Sequence, residues 1–164
     1  MQDKTYNVLF ICTGNSARSV MAEGLMNTLG RGRYIAFSAG SHPKGSVHPL
    51  ALATLAAHHI PTDSFRSKGW ETFAGPEAPP LHFVFTVCDQ ASGEVCPVWP
   101  GQPMTAHWGL PDPATAAGDK QAQEKAFLDA FVTLKRRIEL MLALPLASLD
   151  RMAIQRDLQD IGTR

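Results

Sequence analysis

The chain alternates short apolar runs with stretches of helical period. Val8 to Ile11 is an unbroken apolar run that the turn-forming cluster Thr13-Gly14-Asn15-Ser16 ends, so it reads as a short buried strand. From Ser16 onward the period becomes helical, with Val20, Met21, Gly24, Leu25 and Leu29 on one face. Tyr34 to Ser38 predicts a second strand, closed by Ala39-Gly40, and Val47 to Ala57 a second helix that Pro61 stops. Residues 62–80 end in Ala78-Pro79-Pro80 and read as loop with little regular structure. Leu81 to Val87 is a strongly apolar third strand. Residues 88–118 are rich in Gly and Pro, with one short strand expected near Ala106. Lys120 to Leu142 carries a helical stripe of Ala126, Phe127, Ala130, Phe131, Leu134, Ile138 and Met141; Pro145 breaks it, and a tail helix is expected within Leu146–Ile161.

Strands alternating with helices predict an α/β fold with a parallel sheet wrapped on both faces. In such sheets ligands bind beyond the strand C-termini. Cys12, Ser38 and Cys88 each fall at or just past such an end.

Bulk properties narrow the function classes. At 164 residues the chain reads as one domain spanning 1–164. Its formal net charge is zero, so no global field favours nucleic acid or an anionic membrane. No apolar run approaches the roughly 18 residues of a membrane span. The opening MQDKTYNVLF lacks a basic-then-apolar leader, which makes the cytoplasm the expected location. Three cysteines, an odd number, are no secreted disulfide framework; reactive, metal-binding or buried thiols are the alternatives.

The first loop is where chemistry concentrates. A loop curling ahead of a helix N-terminus aims several backbone N–H groups at one anion. Gly14 permits close approach and Asn15 tolerates a left-handed backbone. Arg18 adds a planar fork suited to a tetrahedral oxyanion. A thiol at the centre of such a cradle is expected to react as its thiolate, with Ser19 able to donate to the sulfur. Cys12 is therefore the candidate nucleophile and Arg18 the candidate transition-state clamp; Thr13, Gly14, Asn15, Ser16, Ala17, Arg18 and Ser19 are the candidate oxyanion-binding set. The structural alternative is a buried Cys closing a strand above an ordinary turn.

VLFICTGNSARSVMAEG, residues 8–24, resembles the signature of the low-molecular-weight protein tyrosine phosphatase superfamily, and more closely that of the arsenate reductases built on the same fold. Matching positions are Cys12 to Ser16, Arg18, Ser19 and Met21 to Gly24, with Ser38-Ala39-Gly40 and His48-Pro49 also in place. The segment 88–114 resembles the reductase branch in its cysteine pair and its His-Trp-Gly-x-x-Asp-Pro stretch. The likeness runs from Val8 to about residue 142. It implies a single domain with a four-stranded parallel sheet and helices on both faces.

The resemblance also implies a reaction. Cys12 would attack arsenate, Cys88 would attack Cys12 to release arsenite, and Cys96 would carry the disulfide outward to a Cys88–Cys96 pair. A loop with Gly93 lies between the two later cysteines. The alternatives are that Cys88 is a core thiol and Cys96 a bystander, or that they hold a metal, for which their spacing is poor. No metal and no bound cofactor are expected. The partners implied are an arsenate or phosphate oxyanion and an external thiol reductant, either thioredoxin or glutathione with glutaredoxin; neither nucleic acid nor membrane is expected. Asp112, before Pro113, matches the family's general acid, against the alternative of a turn aspartate. Ala114 follows where the phosphatase branch carries Tyr, which disfavours the alternative function, hydrolysis of phosphate monoesters through a phosphocysteine.

The chain departs from its relatives elsewhere too. Ala17 stands where some reductases have another cysteine, and seven residues separate Cys88 from Cys96, slightly more than in some thioredoxin-coupled relatives. Asn15, Glu23 and Ser38 match positions that help form a potassium site in some reductases, but Lys68 lies where a further acidic residue is expected. An ammonium group in place of the ion is the implied alternative. His58 and His59 read as helix-end surface residues, His42, His48, His82 and His107 receive no chemistry, and Trp70, Trp99 and Trp108 read as packing anchors.

Overall fold

The computed structural model describes residues 5–75, 78–87 and 103–164. Among these, β1 (Tyr6–Cys12), β2 (Tyr34–Gly40), β3 (Phe83–Thr86) and β4 (Met104–His107) lie parallel in the order β2-β1-β3-β4. The apolar run at Val8 to Ile11 becomes the middle of a longer strand because β1 is flanked on both sides. Leu9 faces Phe37 on β2 and Val84 on β3. Paired residues share a face and successive residues alternate. Phe10, Ser38, Phe85 and Ala106 therefore point one way, and Leu9, Phe37 and Val84 the other.

The chain crosses from β1 to β2 through α1 (Arg18–Leu29), then returns past β1 to β3. Right-handed crossovers in opposite directions bring the part of the second connection that leads into β3 onto the face opposite α1. Accordingly α1 lies over Ser38, whose hydroxyl donates to Glu23, while the 3-10 turn Trp70–Phe73 covers the reverse face, Phe73 packing on Phe37 at 5.4 Å between ring centroids. This turn is the regular structure within the segment read as loop. On the α1 side, α3 (Lys120–Leu142) packs across α1 and α2 (Pro49–Ala57), and α4 (Arg151–Ile161) packs on β4.

The core is aromatic at its centre. Phe85 stacks on Trp108 at 4.0 Å and on Phe10 at 5.6 Å. Trp108 is fully buried, and its indole N–H donates to the Leu158 carbonyl on α4, so the burial leaves no orphan donor there.

Helix ends depart from the periodicity for local reasons. Residues 13–17 form a loop in which Asn15 has φ 44°, so α1 begins at Arg18 rather than at Ser16. Pro49 supplies a preset φ at the first position of α2, and the His48 ring accepts from the Leu50 N–H, so this helix starts two residues after Val47. It ends before Pro61 because His59 turns left-handed at φ 63°. The predicted bounds of α3 hold, with Asp119 capping Ala122, and its buried stripe contains one residue the pattern passed over, Arg137. The tail resolves into a 3-10 turn at Leu146–Ser148 and α4, capped by Asp150. Among the described residues no helix is long and apolar enough to cross a membrane.

Candidate active site

Cys12 closes β1 with only 2% of its surface exposed, and the loop after it is tied down from outside. The carbonyls of Thr13, Gly14 and Ser16 accept from the N–H groups of His42, Lys44 and His48, and Ser67 donates to Gly14 as well. Carbonyls spent outward turn the alternate amide dipoles toward the inside of the curl, the arrangement that cradles anions. The N-cap of α1, Ala17, makes no side-chain capping bond, so the helix start is left without the usual internal partner.

Gly40 lies directly beneath. A Cβ there would meet the Thr13 carbonyl oxygen at 2.6 Å and the Asn15 amide at 2.9 Å, so only hydrogen fits between the end of β2 and the loop. Its place in Ser38-Ala39-Gly40 was visible in the sequence, but its task was not.

A buried polar chain backs the thiol. Asn15 donates from its amide to the Ser19 hydroxyl at 2.8 Å, and Ser19 lies 2.9 Å from the Cys12 sulfur. Either atom can donate in this last contact; with Cys12 as its thiolate, the Ser19 hydroxyl is the donor. Ser19 thus sits behind the candidate nucleophile. The Asn15 carbonyl oxygen accepts from the Lys68 backbone N–H at 2.8 Å, which joins the loop to the segment pairing with the end of β2.

The chain continues in charge. Ser38 donates to Glu23 at 2.5 Å, and the Lys68 ammonium stands 4.0 Å from the same carboxylate. Burial pushes the Glu23 carboxyl up, with Ser38 and Lys68 opposing the shift. Burial likewise pushes the Lys68 ammonium down, opposed by Glu23. These residues do not fit a potassium ion. The Asn15 oxygen is committed to a backbone donor, and the cation facing Glu23 is Lys68 itself. Among the described residues no group of three His, Cys, Asp or Glu side chains could hold a metal.

Arg18 and Asp112, far apart in sequence, come together at the start of α1. One guanidinium nitrogen donates to the Leu110 carbonyl at 2.9 Å and the other stands 3.6 Å from the Asp112 carboxylate. Asp112 also caps the following 3-10 turn by accepting from the Ala114 N–H at 3.0 Å, as the turn alternative read from the sequence describes. Its side chain is 30% exposed. Cys88 and Cys96 lie outside the described residues. The contacts that sequence reasoning missed are the backbone oxygen of Leu110, the hydroxyl of Ser67, and Lys44, whose side-chain carbons lie over Gly14. Backbone acceptors and rim residues carry no motif by which they could have been found.

Comparison with known proteins gives a consistent likeness. The family model for low molecular weight phosphotyrosine protein phosphatase matches residues 7–154. An arsenate reductase of Halalkalibacterium halodurans is 31% identical over 132 residues, covering 80% of this chain and 91% of that protein. A glutaredoxin arsenate reductase of Synechocystis sp. is 32% identical over 136 residues, covering 83% and 95%. A solved arsenate reductase in the phosphate binding state superposes with a TM-score of 0.66 at 27% identity, covering 85% of this chain and 98% of that one.

Proposed function

The chain belongs to the low molecular weight phosphotyrosine protein phosphatase family, and from that premise we propose that it reduces arsenate to arsenite. The observation that carries the reading is that Arg18, which follows the loop that Cys12 opens, is met by Asp112 from a distant part of the sequence. The relatives named arsenate reductase, which this chain matches over most of its length, support the same choice of reaction.

In this mechanism the loop amides of residues 13–17 and the Arg18 fork hold the arsenate oxygens. The Cys12 thiolate attacks arsenic, and Asp112 protonates the departing oxygen, which leaves as water. Ser19, behind the sulfur, stabilises the thiolate by donating to it. Cys88 then attacks the Cys12 sulfur. A Cys12–Cys88 disulfide forms, the electron pair of the sulfur–arsenic bond stays on arsenic, and arsenite departs. Attack of Cys96 on Cys88 frees Cys12 and leaves a Cys88–Cys96 disulfide for an external dithiol of the thioredoxin or glutaredoxin kind. Cys12, Arg18 and Asp112 alone suffice for slow hydrolysis of a phosphate monoester through a phosphocysteine, which we expect as a side activity.

The test supplies arsenate with thioredoxin, and separately with glutathione and glutaredoxin, to the wild type and to Cys88→Ser and Cys96→Ser. Multiple turnover is expected with one reductant only. Cys96→Ser should complete a single turnover and stop at the Cys12–Cys88 disulfide, whereas Cys88→Ser should retain the adduct. Aryl phosphate hydrolysis should survive both changes. Full steady-state reduction by Cys88→Ser would exclude the relay.

A further inference from the structure

We propose that Arg137 is a positioning residue for this reaction: from α3 it holds the backbone of Trp108 and Gly109 so that Leu110 and Asp112 meet Arg18. The inference rests on the reading of Asp112 as the acid given above.

Arg137 is out of place by ordinary patterning. It sits on the buried stripe of α3 with Phe127, Ala130, Phe131, Leu134, Ile138 and Met141, and only 6% of it is exposed. Among the described residues no carboxylate pairs with it, and its Nε has no hydrogen-bond partner. Burying a guanidinium without a counter-charge is costly, and an apolar residue would fill the stripe more cheaply. What an apolar residue lacks is donors. One Nη donates to the Trp108 carbonyl at 2.6 Å and to the Gly109 carbonyl at 3.2 Å. Two consecutive peptide planes are thereby oriented from one point.

The next residues need such an anchor. An open pocket of about 430 Å³ lies between part of the segment and α3, lined among others by Gly109, Leu110, Asp112, Thr115, Ala130 and Arg137. The 3-10 turn Pro113–Thr115 packs on α3 at the far end, so the segment is held at its two ends with the pocket between them. At the first end Trp108 is pinned by its N–H to the Thr86 carbonyl and by its indole to Leu158, and Arg137 continues that hold one residue further. Leu110 comes next, and its carbonyl accepts from Arg18. A shift on the order of 1 Å at a reacting group is enough to cost about 10²-fold in rate.

The experiment compares Arg137→Met, Arg137→Lys, Asp112→Asn and the double variant Arg137→Lys with Asp112→Asn. Single-turnover arsenite release is measured alongside hydrolysis of 4-nitrophenyl phosphate, a good leaving group, and phenyl phosphate, a poor one. Arg137→Met should slow arsenite release by roughly 10- to 100-fold, and Arg137→Lys, with fewer donors in a different geometry, by less. The ratio of phenyl to nitrophenyl rates should fall in both, because only the poor leaving group needs the acid. That ratio is independent of the folded fraction, so a partly unfolded variant still reports. In the Asp112→Asn background, Arg137→Lys should leave the phenyl-to-nitrophenyl ratio where Asp112→Asn alone puts it, any remaining loss through Leu110 and Arg18 falling on both substrates alike. An unchanged ratio in the Arg137 variants, or a ratio that falls further in the double variant, overturns the inference while Asp112→Asn still shows its own fall. An unchanged ratio in Asp112→Asn overturns the acid assignment, and the inference with it.

Discussion

The loop of residues 12–19 and the loop of residues 108–116 meet at one site but are held in opposite ways. The first is bolted to its surroundings: three of its carbonyls are bonded to residues 42–48, Asn15 and Ser19 are fully buried, and Gly40 supports it from below at contact distance. The second is held by Trp108 with Arg137 at one end and by a 3-10 turn packed on α3 at the other, beside an open pocket. An anion cradle works by dipoles that need no reorganisation when charge develops, so rigidity serves it. An acid has to accommodate an incoming anion and an outgoing product, so a loop fixed at its ends serves that better.

The contrast is sharpest at the two reacting groups. Cys12→Ser should lower every activity by on the order of 10⁴-fold or more, since a hydroxyl cannot replace the thiolate. Asp112→Asn should cost only roughly 10²-fold, because proton delivery assists a step that the cradle already supports. Equal losses in arsenate-reduction assays would remove the distinction. Arg18→Lys keeps the charge but not the fork, and a loss of about 10²-fold or more is expected. A near wild-type rate would show that Arg18 contributes charge alone.

Rigidity itself is tested by Gly40→Ala. The added methyl meets two backbone atoms of the loop, and a destabilisation of roughly 1–3 kcal/mol is expected, with weaker phosphate binding by calorimetry. Unchanged phosphate affinity would mean that the loop yields more easily than its bonding implies.

The smallest effect concerns Glu23 and Lys68 beneath the cradle. Burial raises the Glu23 pKa in the folded protein, so the native state holds this proton more tightly than the unfolded chain does. The associated stability is fully present below the unfolded value and is lost as pH rises through the folded one. Lys68 opposes that shift, so Lys68→Met should raise the Glu23 pKa further and deepen the loss. Thermal unfolding should give a variant Tm that falls away from wild type with rising pH on the acid side of neutrality, by roughly 2–4 °C for a difference of about 1 kcal/mol. Parallel Tm profiles would show that Lys68 and Glu23 do not interact.

Much of the site is legible along the chain alone. Cys12, the residues of its loop and Arg18 are contiguous, and a strand-turn-helix unit forms from local periodicity and turn chemistry, so their grouping needs no tertiary information. The limits of α3 are equally local, set by a long stripe and a capping Asp119. The start of α2 is local too, through Pro49 at its first position, although the histidine cap before it carries no ordinary sequence signal. Asp112 can be named from its motif, but whether it serves as turn cap or partner of Arg18 depends on where β4 delivers it, and it does both.

The sequence by itself determined the candidate nucleophile, the candidate anion loop and the parallel order of strand and helix, because those rest on interactions between near neighbours in the chain. Tertiary structure alone decided that Gly40 must lack a side chain and that Arg137 reaches the backbone of the Asp112 loop. Each of these is a contact between segments brought together by the sheet or by the packing of α3 across α1. Its partner is often a backbone atom, which has no identity in sequence, so no pattern along the chain can announce it.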